Sequence, residues 1–136
     1  MKRVTGLGGV FFKCSDPEAM KTWYRDHLGI ASDQYGGMFR WRDPEKPDRE
    51  CLTAWSPFSD STKYFDPSTK EWMLNYRVED LDALMEILKT EGVRVVGKVE
   101  SYEYGKFGWI LDPEGNKIEL WEPIDEPLLK RKPEET

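Results

Sequence analysis

The chain of 136 residues holds a single histidine, His27. One imidazole excludes any metal centre built on two or three histidines, the usual set for catalytic zinc and non-haem iron. Cysteine is nearly as scarce: Cys14 and Cys51 stand far apart, with no metal-binding spacing. Free thiols in the reducing cytoplasm are the expectation. No apolar run approaches the roughly 20 residues that span a bilayer. Met1 to Val10 carries Lys2 and Arg3 but no apolar core, so no secretory leader is expected. An excess of positive charge is missing too. Twenty Lys and Arg face 26 Asp and Glu, a net charge of -6. That balance speaks against a nucleic-acid partner, whose phosphates call for a basic face, and against an anionic membrane surface.

Aromatic side chains, by contrast, are abundant: six Trp, six Tyr and six Phe. They must fill a core or line a pocket. The length is that of one compact domain, and 38% hydrophobic with 34% charged residues is a globular balance.

Residues 7–14 read as a strand. Asp16-Pro17-Glu18 reads as a helix start, with Asp16 capping free amides and Pro17 at the first helical position. Met20, Trp23, Tyr24 and Leu28 keep an apolar stripe, and Gly29 is the exit. The pattern returns at 72–78, a strand, followed by Asp80 as cap. The stripe Leu81, Leu84, Ile87 and Leu88 comes next, and Gly92 ends it. An offset of 64 (80 − 16) superimposes the two stretches. Thr53-Ala54-Trp55-Ser56-Pro57 aligns with Glu119-Leu120-Trp121-Glu122-Pro123 at an offset of 66 (119 − 53). A repeat of about 65 residues is too long for a solenoid unit and fits a duplicated module. Weaker strands are expected at 38–42, 50–55, 93–99, 107–111 and 117–121, with a loop over 43–49. The division is a module over about 4–57, a linker over about 58–71, a second module over about 72–123, and a charged tail at 124–136 outside the core.

Gly8-Gly9-Val10-Phe11-Phe12-Lys13-Cys14-Ser15-Asp16-Pro17 with Trp23-Tyr24-Arg25-Asp26-His27-Leu28-Gly29 resembles the opening of the vicinal oxygen chelate superfamily. That group holds glyoxalase I, bleomycin-resistance proteins and extradiol dioxygenases. Asp112-Pro113-Glu114-Gly115-Asn116-Lys117-Ile118-Glu119-Leu120 resembles its closing motif. The resemblance implies an α+β fold: two tandem βαβββ modules forming a curved mixed sheet around an open cavity, helices outside. It also implies a homodimer. Its metal-using members place four ligands at positions that fall here on Gly9, Thr53, Met73 and Glu119. Only Glu119 is a competent ligand, so neither a metal nor another cofactor is expected.

Strand alternation assigns faces. With Glu119 in the cup, Lys117 and Trp121 follow, as do Cys51, Thr53 and Trp55 on the symmetric strand. Gly9, Phe11, Lys13, Met73, Asn75 and Arg77 complete the cup. The candidate ligand-binding set is Phe11, Thr53, Trp55, Met73, Asn75, Glu119 and Trp121. Apolar walls with a few polar points are what a small-molecule pocket needs. Trp55 and Trp121 either line that pocket or simply fill its floor. Glu119 is either a base or ligand anchor, its pKa raised by burial, or a relic paired with Lys13, Arg77 or Lys117. Cys51 reads as an inert thiol and His27 as a helix-end residue. Tyr64, Tyr102 and Tyr104 fit a lid or an interface equally. Three functions remain open: a metal-free binder of a small, partly aromatic molecule, a lyase or isomerase using Glu119, and a ligand-free interaction module.

Overall fold

A computed structural model describes residues 2–131. Its strands are β1 (Val4–Cys14), β2 (Gly37–Asp43), β3 (Lys46–Ser59), β4 (Trp72–Val78), β5 (Val95–Tyr102), β6 (Gly105–Leu111) and β7 (Lys117–Pro123). Its helices are α1 (Pro17–Leu28), α2 (Leu81–Thr90) and the short α3 (Glu126–Leu129). The strands form one mixed sheet in the order β2-β3-β1-β4-β7-β6-β5, which does not close into a barrel. The halves meet at the antiparallel β1–β4 pair. Within each half, the first and last strands run parallel: β1 with β3, and β4 with β7.

Both long helices start as the sequence dictates. Asp16 accepts the Ala19 amide at 3.1 Å, and Asp80 accepts the Ala83 amide at 3.1 Å. Gly29 leaves α1 at φ 70°, a left-handed geometry that glycine adopts without penalty. Leu81, Leu84, Met85 and Leu88 of α2 pack with Val78 and Leu120 into the larger core on the sheet's outer face. The stripe of α1 turns out narrower than its spacing implies. Tyr24 packs on Trp55 at 4.8 Å, but Trp23 and Leu28 are 51% and 60% exposed. Lys21 is buried in their stead, its ammonium donating to the Asp33 and Gln34 carbonyls.

Three expectations need correction. The first half carries three strands, not four: between α1 and β2 there is only an isolated bridge, Asp33 to Gly36, where the second half has β5. The loop expected over 43–49 shrinks to the tight turn after Asp43, because β3 already starts at Lys46. The tail does not stand apart through its described part. Asp125 pairs with buried Arg77, and Arg131 pairs with Asp33. Buried guanidinium demands a counter-charge, and the tail supplies it. Residues 132–136 of the expected tail lie outside the described residues. Among the described residues, no helix is long and apolar enough to cross a membrane.

Candidate functional site

The inner face of the sheet encloses a cavity of about 660 Å³. Its wall is mainly aromatic: Phe11, Tyr35, Phe58, Tyr64, Phe107 and Trp121 among others. Asn75 and Glu119 are its buried polar points, at 1% and 2% exposure.

Glu119 sits there because β7 pairs with β4 on one side and β6 on the other. Parallel pairing sets it beside Asn75, and antiparallel pairing sets it opposite Trp109. Three donors converge on its carboxylate. The Asn75 amide donates to Oε1 at 2.6 Å, and the Trp109 indole N–H donates to Oε2 at 2.9 Å. The Tyr64 hydroxyl donates to Oε2 as well. Burial pushes the Glu119 pKa up, while these hydrogen bonds and nearby Lys117 work in the opposite direction. Burial and the neighbouring Glu119 charge push the Tyr64 hydroxyl up, so it stays a donor. Lys117 is held down by burial. It donates to the Tyr64 carbonyl at 2.7 Å and lies over the Tyr64 and Trp109 rings.

Glycine makes room on β1. A Cβ at Gly8 would lie 2.1 Å from Asn75 Oδ1, and one at Gly9 would lie 2.8 Å from the Phe11 ring. Asn75 Oδ1 itself is buried without a partner among the described residues.

The expected residues divide. Phe11, Asn75, Glu119 and Trp121 line the cavity. Met73 is fully buried beneath it with Phe11, Phe65 and Trp109. Thr53 and Trp55 do not reach the cavity. Trp55 packs on Phe12 and on Tyr24 of α1, while Thr53 accepts the Trp41 indole N–H and donates to the Leu7 carbonyl. The cause is register. Asn75 pairs with Glu119, and Phe11, its counterpart at the offset of 64, pairs with Ser56. The halves therefore correspond at an offset of 63 (119 − 56) on these strands. The alignment at 66 slips by three, and an odd slip moves every side chain to the other face. Leu52, Ala54, Ser56 and Phe58 take the cup side. Cys51 is 1% exposed and free of disulfide.

Two of the donors on Glu119, Tyr64 and Trp109, were not in the candidate binding set, although Tyr64 was expected in a lid or an interface. Tyr64 lies on the crossing between β3 and β4, where alternation says nothing. Trp109 was findable, because the turn Asp112–Asn116 sets the β6–β7 register. Tyr102 and Tyr104 both line the cavity, as does Tyr64.

The four positions tied to metal binding do not fit a metal. Gly9 has no side chain, and Thr53 faces away. Ser56, the counterpart of Glu119 in the true register, donates its hydroxyl to the Tyr35 carbonyl. Met73 is a fully buried thioether in the cluster with Phe65. Glu119 is surrounded by N–H and O–H donors, which suit an anion's lone pairs and would be repelled by a cation. Among the described residues, no group of three His, Cys, Asp or Glu comes together.

The model of the Glyoxalase/Bleomycin resistance protein/Dioxygenase superfamily matches residues 6–120. The chain is similar to methylmalonyl-CoA epimerase from Mycobacterium tuberculosis, at 26% identity over 95% of both chains, with a TM-score of 0.59. A variant of Streptomyces coelicolor methylmalonyl-CoA epimerase in complex with 2-nitronate-propionyl-CoA shares the fold. It matches at 15% identity over 89% of this chain and 99% of that one, with a TM-score of 0.66. The Mn(II)-bound glyoxalase from Novosphingobium aromaticivorans does likewise at 17% identity and a TM-score of 0.58, over 90% of this chain and 40% of that one. No curated protein matches the sequence.

Proposed function

This chain belongs to the Glyoxalase/Bleomycin resistance protein/Dioxygenase superfamily, and we propose that it binds a small, partly aromatic molecule in its cup without a metal. The observation that carries this reading is the state of Glu119. It is buried, held by three donors, and set at the base of an aromatic-walled cavity. Such walls favour a planar ligand through burial and ring contacts. Glu119 accepts an N–H or O–H from that ligand through the one lone pair left on Oε1. Phe11, Asn75 and Trp121 belong to the binding set by position.

An aromatic amine such as aminoquinoline is the probe, read by quenching of tryptophan fluorescence. Saturable binding at one molecule per chain, weakened at least tenfold in Glu119→Gln, supports the reading. Unchanged affinity in that variant overturns it.

A second reading rests on the same carboxylate. Burial raises its pKa towards a range useful for proton abstraction, and one similar protein is a methylmalonyl-CoA epimerase. In that reading Glu119 removes a proton next to a carbonyl, and the Tyr64 hydroxyl is the adjacent acid. Incubation with methylmalonyl-CoA in D₂O decides it: exchange of the α-proton, lost in Glu119→Gln, would favour the enzyme. A homodimer in the cytoplasm completes the proposal. Solution mass checks the pairing, and the free thiols of Cys14 and Cys51 suit that compartment.

A further inference from the structure

The last described residues close one side of the cup. Beyond β7 the chain turns at Asp125 into α3, and Pro127, Leu128 and Arg131 join the cavity wall with Tyr35, Leu52 and Ala54.

The two ends of this segment are fastened very differently. At the near end, both Asp125 carboxylate oxygens accept from the Arg77 guanidinium, at 2.6 and 2.7 Å. Arg77 is 1% exposed, donates to the Leu52 carbonyl, and lies between the Trp41 and Trp121 rings. Breaking that pair would strand a buried charge. At the far end, Arg131 donates to both Asp33 oxygens at 2.8 and 2.7 Å, and to the Gly36 carbonyl at 3.3 Å. It also covers the Tyr35 ring. Exposed Arg40 donates to the Leu129 carbonyl at 2.7 Å. The Arg131 and Asp33 side chains are 24% and 30% exposed, so solvent and salt weaken their attraction. Between the two ends, α3 buries no residue.

We infer that residues 126–131 form a hinged strap: Asp125 stays fixed on Arg77, and release of the Arg131–Asp33 latch opens the cup. The near end is costly to break and the far end is cheap. Thermal opening therefore starts at Arg131 and swings about Asp125. The strap does not depend on what the cup holds, so its test needs no ligand.

Ala54 lines the cavity, and Ala54→Cys places a thiol there. Its rate of labelling by N-ethylmaleimide reports access, after subtracting the rate of Cys14 and Cys51 in the parent chain. Arg131→Ala should raise the rate roughly fivefold, the ceiling for a partly exposed pair. Raising sodium chloride from about 0.01 M to about 1 M shortens the screening length from roughly 30 to roughly 3 Å. That change should accelerate labelling in the parent latch and leave Arg131→Ala nearly unaffected. Hydrogen exchange on the otherwise native chain gives a second readout. Amides of Leu128 to Arg131 should exchange faster in Arg131→Ala while those of α2 stay unchanged. Unaltered labelling in Arg131→Ala and at high salt would overturn the strap. So would equal acceleration of exchange across α2, which marks general loosening.

Discussion

Asn75 on β4 and Glu119 on β7 face each other across a parallel strand pair, and the Asn75 amide donates to the Glu119 carboxylate at 2.6 Å. Both are buried, so the bond is made where water cannot replace it. Asn75→Ala leaves one lone pair of a buried carboxylate without its donor. The expected cost is about 1–3 kcal/mol, read from urea unfolding. A loss below a few tenths would show that the pair carries no structural weight.

The pH dependence of stability follows from Glu119. Its folded pKa lies above the ordinary carboxylate value of 4.5 because burial disfavours the charge. The native state therefore holds its proton to higher pH than the unfolded chain. The contribution is fully present below about 4.5 and is lost as pH rises through the folded pKa. Glu119→Gln has no such proton. The stability of the parent relative to this variant should fall as pH rises from about 4 towards neutrality, measured by denaturant unfolding at each pH. A difference that grows with pH contradicts the assignment.

Gly8 is required by the same contact. Its added Cβ would stand 2.1 Å from Asn75 Oδ1. Gly8→Ala should cost about 1–3 kcal/mol, the usual range for overpacking, and weaken binding by pushing Asn75 off Glu119. Gly29→Ala is the control: it meets no neighbour, and its φ of 70° alone costs roughly 1 kcal/mol. Equal affinity for the aromatic probe in Gly8→Ala and Gly29→Ala would refute the link.

Trp55 tests which face of β3 is the cup. It packs against Phe12 and Tyr24 on the helix side. Trp55→Ala should cost about 3–5 kcal/mol in stability and leave probe affinity unchanged. Phe58→Ala, on the cavity wall, should weaken the probe. The reverse pattern would restore the register at an offset of 66.

Much of this architecture was written in local chemistry. Asp16-Pro17 and Asp80 announce their helices through side-chain caps, and Gly29 announces an exit, because each acts within a few residues. The duplicated β4-α2 pattern and the closing turn Asp112–Asn116 gave the fold and the place of Glu119. The face of β3 was not legible. Trp55 and Trp121 look like partners in the sequence, yet the pairing of Phe11 with Ser56 sets the faces, and no local signal reports it. Tyr64 and the Asp125–Arg77 pair were also hidden. Both depend on contacts across more than forty residues, which periodicity does not encode.

The central claim is that donors, not a cation, satisfy Glu119. Isothermal titration of the chelator-treated chain with Mn²⁺ and Ni²⁺ tests it most directly. No stoichiometric uptake is expected in the parent, and the same flat trace in Glu119→Gln. One ion bound per chain, and lost in Glu119→Gln, would contradict it.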